Sequence, residues 1–141
     1  MSGTRFIFLF VIAFLLPSCD KEKCSCNNSE IIGKWEIVDF ISLESIAYTK
    51  NNNYNPRFEF KTNGTFHLVL DVNVCNGNYA LADGNTMNCS TAGCTEMCCD
   101  SPFSEKVVAM LPRVASYDFL DSELQLKVPD WGWINLKRSS D

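Results

Sequence analysis

Cysteine is the residue type with most chemistry to offer in this chain of 141 residues, which carries eight: Cys19, Cys24, Cys26, Cys75, Cys89, Cys94, Cys98 and Cys99. Thiolates at short spacing can hold zinc in a tetrahedron. The run Cys94-x3-Cys98-Cys99 departs from paired C-x2-C spacing, however, and adjacent cysteines seldom both aim at one ion, so no metal is expected. Redox work needs a thiol whose pKa is lowered by a nearby cation, and no Lys or His stands beside Cys98 or Cys99. Disulfides are the remaining use, provided the chain is exported. With Cys19 set aside for the reason given below, seven cysteines remain, an odd number that leaves one thiol over. Cys24-x-Cys26 would close too small a ring, so a bond from one of these to the rest of the chain is favoured. Spacing alone leaves the pairing of all seven open, that of Cys24, Cys26, Cys89, Cys94 and Cys98 as much as that of Cys75 and Cys99.

The other reactive groups are sparse. His67 is the chain's one histidine and has no recognisable nucleophile or carboxylate partner in sequence, so a structural or surface role is expected rather than acid–base catalysis. Asp118, Asp121 and Glu123 cluster at a turn but in no pattern that a cation or a glycosidic bond would require. Trp131-Gly132-Trp133 places two indoles on one side of a strand, as core or as an exposed stripe for sugar or peptide; core is the expectation. The chain is read as non-enzymatic, with no cofactor.

The N-terminus says where such a chain works. From Phe6 to Leu16 every residue is apolar, behind a short segment whose one basic residue is Arg5. A block this short falls below the ~20 residues of a membrane-spanning helix but suits the apolar region of a signal peptide. It closes on Leu16-Pro17-Ser18-Cys19, which resembles a bacterial lipobox, with Cys19 as the residue that is acylated and becomes the new N-terminus. Each buried methylene of the added fatty chains contributes ~0.8 kcal/mol to membrane residence. The expected organisation is a lipoprotein signal peptide over residues 1–18, a tether over 19–30 and one domain over 31–138. Cys19 anchors that domain to a membrane of the bacterial envelope, facing the periplasm or the cell surface. The balance of 12 basic against 17 acidic residues, net −5, grows more acidic once Arg5 is removed, and this excludes nucleic acid as a partner.

The elements that must position these residues can be read from pattern. Ile31 to Ile41, rich in β-branched and aromatic residues, reads as a first strand, and "KNNNYNP" after it as an exposed loop. In "PRFEFKTNGTFHLVL" a two-residue Asn63-Gly64 turn would split the apolar side chains between two faces. A three-residue loop, Thr62-Asn63-Gly64 with Gly64 left-handed, pairs Phe60 with Phe66 and Phe58 with Leu68 and keeps them on one face. His67 then faces the other way. Asp71 to Leu81 is expected to continue as strand with an irregularity at Asn76-Gly77, followed by a turn at Asp83-Gly84, a short strand near Asn85 to Cys89, and a loop "STAGCTEMCCD". Ser101 as N-cap, Pro102 at the first helical position and Phe103, Val107, Met110, Leu111 and Val114 at helical spacing predict a helix ending near Pro112. Tyr117 to Phe119, Leu124 to Val128 and Trp131 to Lys137 read as closing strands. Strands, one helix, then strands imply an α+β fold: an antiparallel sheet or partly open barrel with one helix packed on it.

From Ile31 to Lys137 the chain resembles the META domain of HslJ-like heat-inducible bacterial envelope proteins. The resemblance rests on Trp35, "FEFKTNGTF", Cys75-Asn76 with "GNY", "TEMCC", "PFSEKVVAML" and "VASYDFLDSELQL", in that order. Val74 stands where the family usually has glycine, and Cys98 replaces a small alanine. The resemblance implies a β-rich fold with one helix on the sheet, a Cys75–Cys99 disulfide, and a role in envelope stress or assembly, with an envelope protein as partner. Gly33-Lys34-Trp35 and "YALADG" also resemble small bacterial lipocalin-like barrels, which would imply a hydrophobic ligand in the barrel mouth.

Overall fold

The apolar side chains of Trp35, Ile37, Phe58, Phe60, Phe66 and Leu68 alternate with polar ones along their segments, so extended chains paired side by side can bury all of them together. The computed structural model, which describes residues 28–51 and 53–140, shows nine strands and one helix. In chain order these are β1 (Gly33–Ser42), β2 (Arg57–Phe60), β3 (Thr65–Val69), β4 (Val74–Ala82), β5 (Thr86–Cys89), β6 (Gly93–Cys94), helix α1 (Pro102–Met110), β7 (Ser116–Leu120), β8 (Glu123–Val128) and β9 (Gly132–Arg138). All pairings are antiparallel, in the order β3-β2-β1-β9-β8-β7-β5-β4-β6, and β4 pairs back onto β3, so the sheet runs round as a ring. The fold is α+β, as expected. Residues 1–18, expected to be a signal peptide, and Cys19, Cys24 and Cys26 lie outside the described residues.

The β2–β3 hairpin takes the register that keeps the phenylalanines together. Phe60 faces Phe66, Phe58 faces Leu68, and Gly64 has φ +78°. Asn63 secures the turn by accepting from the Thr65 N–H at 3.1 Å and hydroxyl at 2.7 Å. In β1 the register on β9 jumps from Ile37↔Leu136 to Asp39↔Asn135. The extra residue, Val38, lets Phe40 stay on the side of Ile37, where its ring stacks 4.3 Å from Phe103 of α1.

Two expectations about the middle of the chain need correcting. Asp71 to Asn73 is not strand but the tight turn between β3 and β4, closed by Leu70 N–H donating to the Asn73 carbonyl at 2.8 Å. The residue pattern is blind to this because Val72, whose β-branched side chain suits a strand, is a turn residue with 38% exposure. Nor is Asn76-Gly77 irregular: β4 runs unbroken from Val74 to Ala82. Gly77 is there because a Cβ would fall into the Phe66 ring that lies across it.

Helix α1 starts as its sequence dictates, with the Ser101 hydroxyl accepting from Ser104 N–H at 3.3 Å and Pro102 in the first turn. Leu111–Arg113 tighten into a 3-10 turn, because Pro112 has no N–H with which to continue the helix. Phe103, Val107, Met110, Leu111 and Val114 are all buried and join Trp35, Phe58, Phe66, Met87 and Leu124 in one core. Hydrophobic side chains fill the space between helix and sheet.

Candidate functional site

The cysteine loop and the turn beside it form the most heavily bonded polar cluster described. Asn73, 7% exposed at the β3–β4 turn, reaches into residues 95–100. Its side-chain oxygen accepts from the Thr95 hydroxyl at 2.7 Å and Met97 N–H at 2.8 Å, while its amide donates to the Met97 carbonyl and to Asp100, both at 2.7 Å. Asp100 in turn accepts from the backbone N–H groups of Val72 and Asn73 at 2.8 and 3.2 Å. Asp71 does the same for the helix start, accepting from Ser101 N–H at 2.7 Å and the Ser104 hydroxyl at 2.9 Å. A loop with little apolar mass is thus fastened by replacing backbone partners with side-chain ones. Sequence reading passed over Asn73 and Asp100; the signal was Asp71 and Asn73 on either side of Val72, and Asp100 directly before the Ser101 N-cap.

The cysteines divide differently from the arrangement the resemblance implied. Cys75 is bonded to Cys94, not to Cys99. The physical reason is register: β6 pairs with β4 so that Cys94 lies directly opposite Cys75, whereas Cys99 lies on the solvent-exposed stretch beyond Met97. Cys98 and Cys99 are bonded to each other. Cys89 is the free thiol among the described cysteines, and burial pushes its pKa up to about 12, which makes it a core side chain and a poor nucleophile.

His67 lies opposite Glu59 on the face away from Phe66, with Nδ1 2.9 Å from the Asn76 side-chain oxygen. Asp118 spends its carboxylate on the neighbouring Phe119 N–H at 2.9 Å, and Asp121 sits in the β7–β8 turn at φ +50°. Among the described residues no three His, Cys, Asp or Glu side chains group as metal ligands would.

The two indoles of Trp131 and Trp133 part company rather than sharing a side. Gly132, at φ +145°, turns the chain between them. Trp131 is buried against Phe40, their rings 5.3 Å apart, whereas Trp133 is half-buried between Ile41 of β1 and Lys127 of β8, whose ammonium lies 5.3 Å from its ring centre. Above Trp131, Glu44 accepts from the Tyr48 hydroxyl and pairs with Lys106 of α1 at 3.0 Å, and Lys106 also lies over both aromatic rings. The Tyr48 hydrogen bond first, then Trp131 and Lys106, hold the Glu44 carboxyl at about 2. Beside this clasp the chain from β1 into the next loop exposes Ile41, Leu43 and Ile46 by 56%, 82% and 64%. A shallow groove of ≈ 290 Å³ runs behind Ile41 and Leu43, walled by Val128 and Trp133 with Lys127 and Asp130 at its edge.

The META domain family matches residues 29–140 of the chain. Two solved structures share its fold. One, described as a duf4847 family protein from Bacteroides vulgatus ATCC 8482, is 15% identical, with a TM-score of 0.55 over 79% of this chain and 96% of its own. The other, a protein from Burkholderia xenovorans solved by NMR, is 17% identical, with a TM-score of 0.63 over 77% of this chain and 83% of its own. No curated protein matches the chain.

Proposed function

Since the chain belongs to the META domain family, we propose that it is a non-enzymatic lipoprotein of the bacterial cell envelope, anchored through acylated Cys19 and presenting its META domain for a role in envelope stress or assembly. The observation that carries the reading is the succession of Phe6–Leu16, the lipobox-like Leu16-Pro17-Ser18-Cys19, and a domain that begins within a dozen residues. The described site supports it by what its polar groups do. Asn73, Asp71 and Asp100 hydrogen-bond to the backbone and neighbouring side chains of the loop and helix start, the accessible sulfur of Cys98 and Cys99 is mutually bonded, and the free Cys89 thiol is buried and protonated. These are the means of holding a shape.

The envelope setting suits the cysteines, since Cys75–Cys94 needs an oxidising compartment to form. A carrier of an apolar ligand would need room where Trp35, Phe58, Phe66, Met110 and Leu111 are packed. The test is intact mass of the protein extracted from bacterial membranes. Diacylglyceryl and amide-linked acyl mass on a chain beginning at Cys19 is expected, with membrane association lost in Cys19→Ser. A chain that keeps residues 1–18, or a soluble unacylated product, would overturn the reading.

A further inference from the structure

We propose that the segment Ile41–Thr49 is a bilayer-docking edge, which lays one end of the ring against the interface of the membrane that holds the anchor. Nine residues, Ile41 to Thr49, include a single ionisable acid, Glu44, and it is turned back onto Lys106 and Tyr48. Its large apolar side chains, Ile41, Leu43 and Ile46, are each more than half exposed, alongside the small side chains of Ser45, Ala47 and Thr49 and the paired Glu44. Lys127 and Asp130 stand at the edge of the adjoining groove with opposite signs, so the surface carries no net charge to repel or to require a charged partner. Protruding aliphatic side chains on a segment whose charge is neutralised internally match the bilayer interface, where apolar groups enter the headgroup–acyl boundary.

The anchor is the argument for a bilayer as the occupant, because it holds lipid within reach of this segment, and the inference rests on the lipoprotein reading in that respect. Eight residues separate Cys19 from Asn28, a reach of at most about 28 Å. The segment Ile41–Thr49 begins at the far end of β1, whose 10 residues cover about 30 Å. A tether about as long as the strand allows the far end of the ring to come down beside the anchor. It also keeps the exposed side chains within tens of ångström of lipid at all times, so that a contact too weak to recruit the domain from solution is populated once the chain is tethered.

The experiment uses the acylated protein in vesicles of phosphatidylethanolamine with a minor share of phosphatidylglycerol, with and without brominated acyl chains. Leu43→Trp, and separately Ile46→Trp, provide reporters at exposed positions that leave the core untouched; Leu120→Trp, 57% exposed at the β7–β8 turn, is the reporter elsewhere on the ring. The expected result is a blue shift and loss of most of the added emission for the Leu43 and Ile46 reporters, with neither for Leu120, unchanged by salt. An acylated, vesicle-bound protein whose Leu43 and Ile46 reporters are unquenched overturns docking and leaves the lipoprotein reading standing; if those positions are instead protected by a second protein, the surface serves that protein. Absence of acyl mass on Cys19 overturns both.

Discussion

At the scale of single residues, the informative positions are those where one atom decides what fits or which state holds a proton. Gly77 lies under the Phe66 ring, with the Ser90 hydroxyl close by. Gly77→Ala should therefore overpack the site and lower stability by about 1–3 kcal/mol, read as a drop in the urea midpoint at constant slope. Glu44 offers a pH signature. Its folded pKa, about 2, lies below the ordinary 4.5, so the stability it contributes is fully present above pH 4.5 and is lost as pH falls toward 2. Melting temperatures measured across that window should fall less steeply for Glu44→Gln than for the native chain. Cys89 carries the opposite sign. Burial raises an ordinary thiol value of 9 to about 12, which favours the protonated form, so the contribution is intact below 9 and declines as pH climbs toward 12. Iodoacetamide at mildly alkaline pH should leave Cys89 unmodified in the folded protein and alkylate it in urea, with peptide mass spectrometry as the readout.

At the scale of elements, the cysteine loop shows where local pattern stops being enough. The β2–β3 hairpin and α1 were legible because their determinants are near in sequence: apolar alternation on both sides of Gly64, and Ser101, Pro102 and the Phe103–Val107–Met110–Leu111 stripe. The β3–β4 turn was not, because Asp71, Val72 and Asn73 take their conformation from Met97, Asp100 and Ser101, more than twenty positions away. The disulfide was missed for the same reason. Cys94 meets Cys75 through two residues of β6, too short a strand to leave a period, and the family pattern pointed to Cys99 instead. Of the surface around Trp131, sequence marked the tryptophans but not their separation, which Gly132 imposes, nor the clasp of Glu44 with Lys106, which spans 62 positions. A non-reducing peptide map should recover Cys75 linked to Cys94. Closing a loop with a sequence separation of 19 restricts the unfolded chain by about 3 kcal/mol, so Cys94→Ala should lower unfolding free energy by that order in denaturant titration.

At the scale of the whole molecule, a ring of strands has no intrinsic weak end, so its resistance to opening is set by its thinnest seam. Around most of the circumference neighbouring strands exchange four to seven paired residues, β1 with β9 the most. Between β5 and β7 there is a single pair, Thr86 with Ser116, reinforced by Met87 N–H to the Ala115 carbonyl at 3.1 Å and Tyr117 N–H to the Asn85 carbonyl at 3.0 Å. Beyond that point the Phe119 N–H donates to the Asp118 side chain, and among the described residues no further strand pair continues this edge of β7. The seam is held chiefly by what lies behind it, since Met87, Val107, Leu111, Val114 and Tyr117 are buried in the same core. Local opening free energy follows the number of backbone hydrogen bonds and buried contacts that must be released. Native-state hydrogen exchange should accordingly show the amides of Met87, Tyr117 and Phe119 exchanging through a partial opening, at lower denaturant dependence than those of Ile37, Ile134 and Leu136, which should exchange only with global unfolding. Val107→Ala, which thins the packing behind the seam, should widen that difference by speeding the first group more than the second. Equal protection across both groups would mean that the ring opens as one unit and that its closure depends on the core rather than on the count of strand pairs.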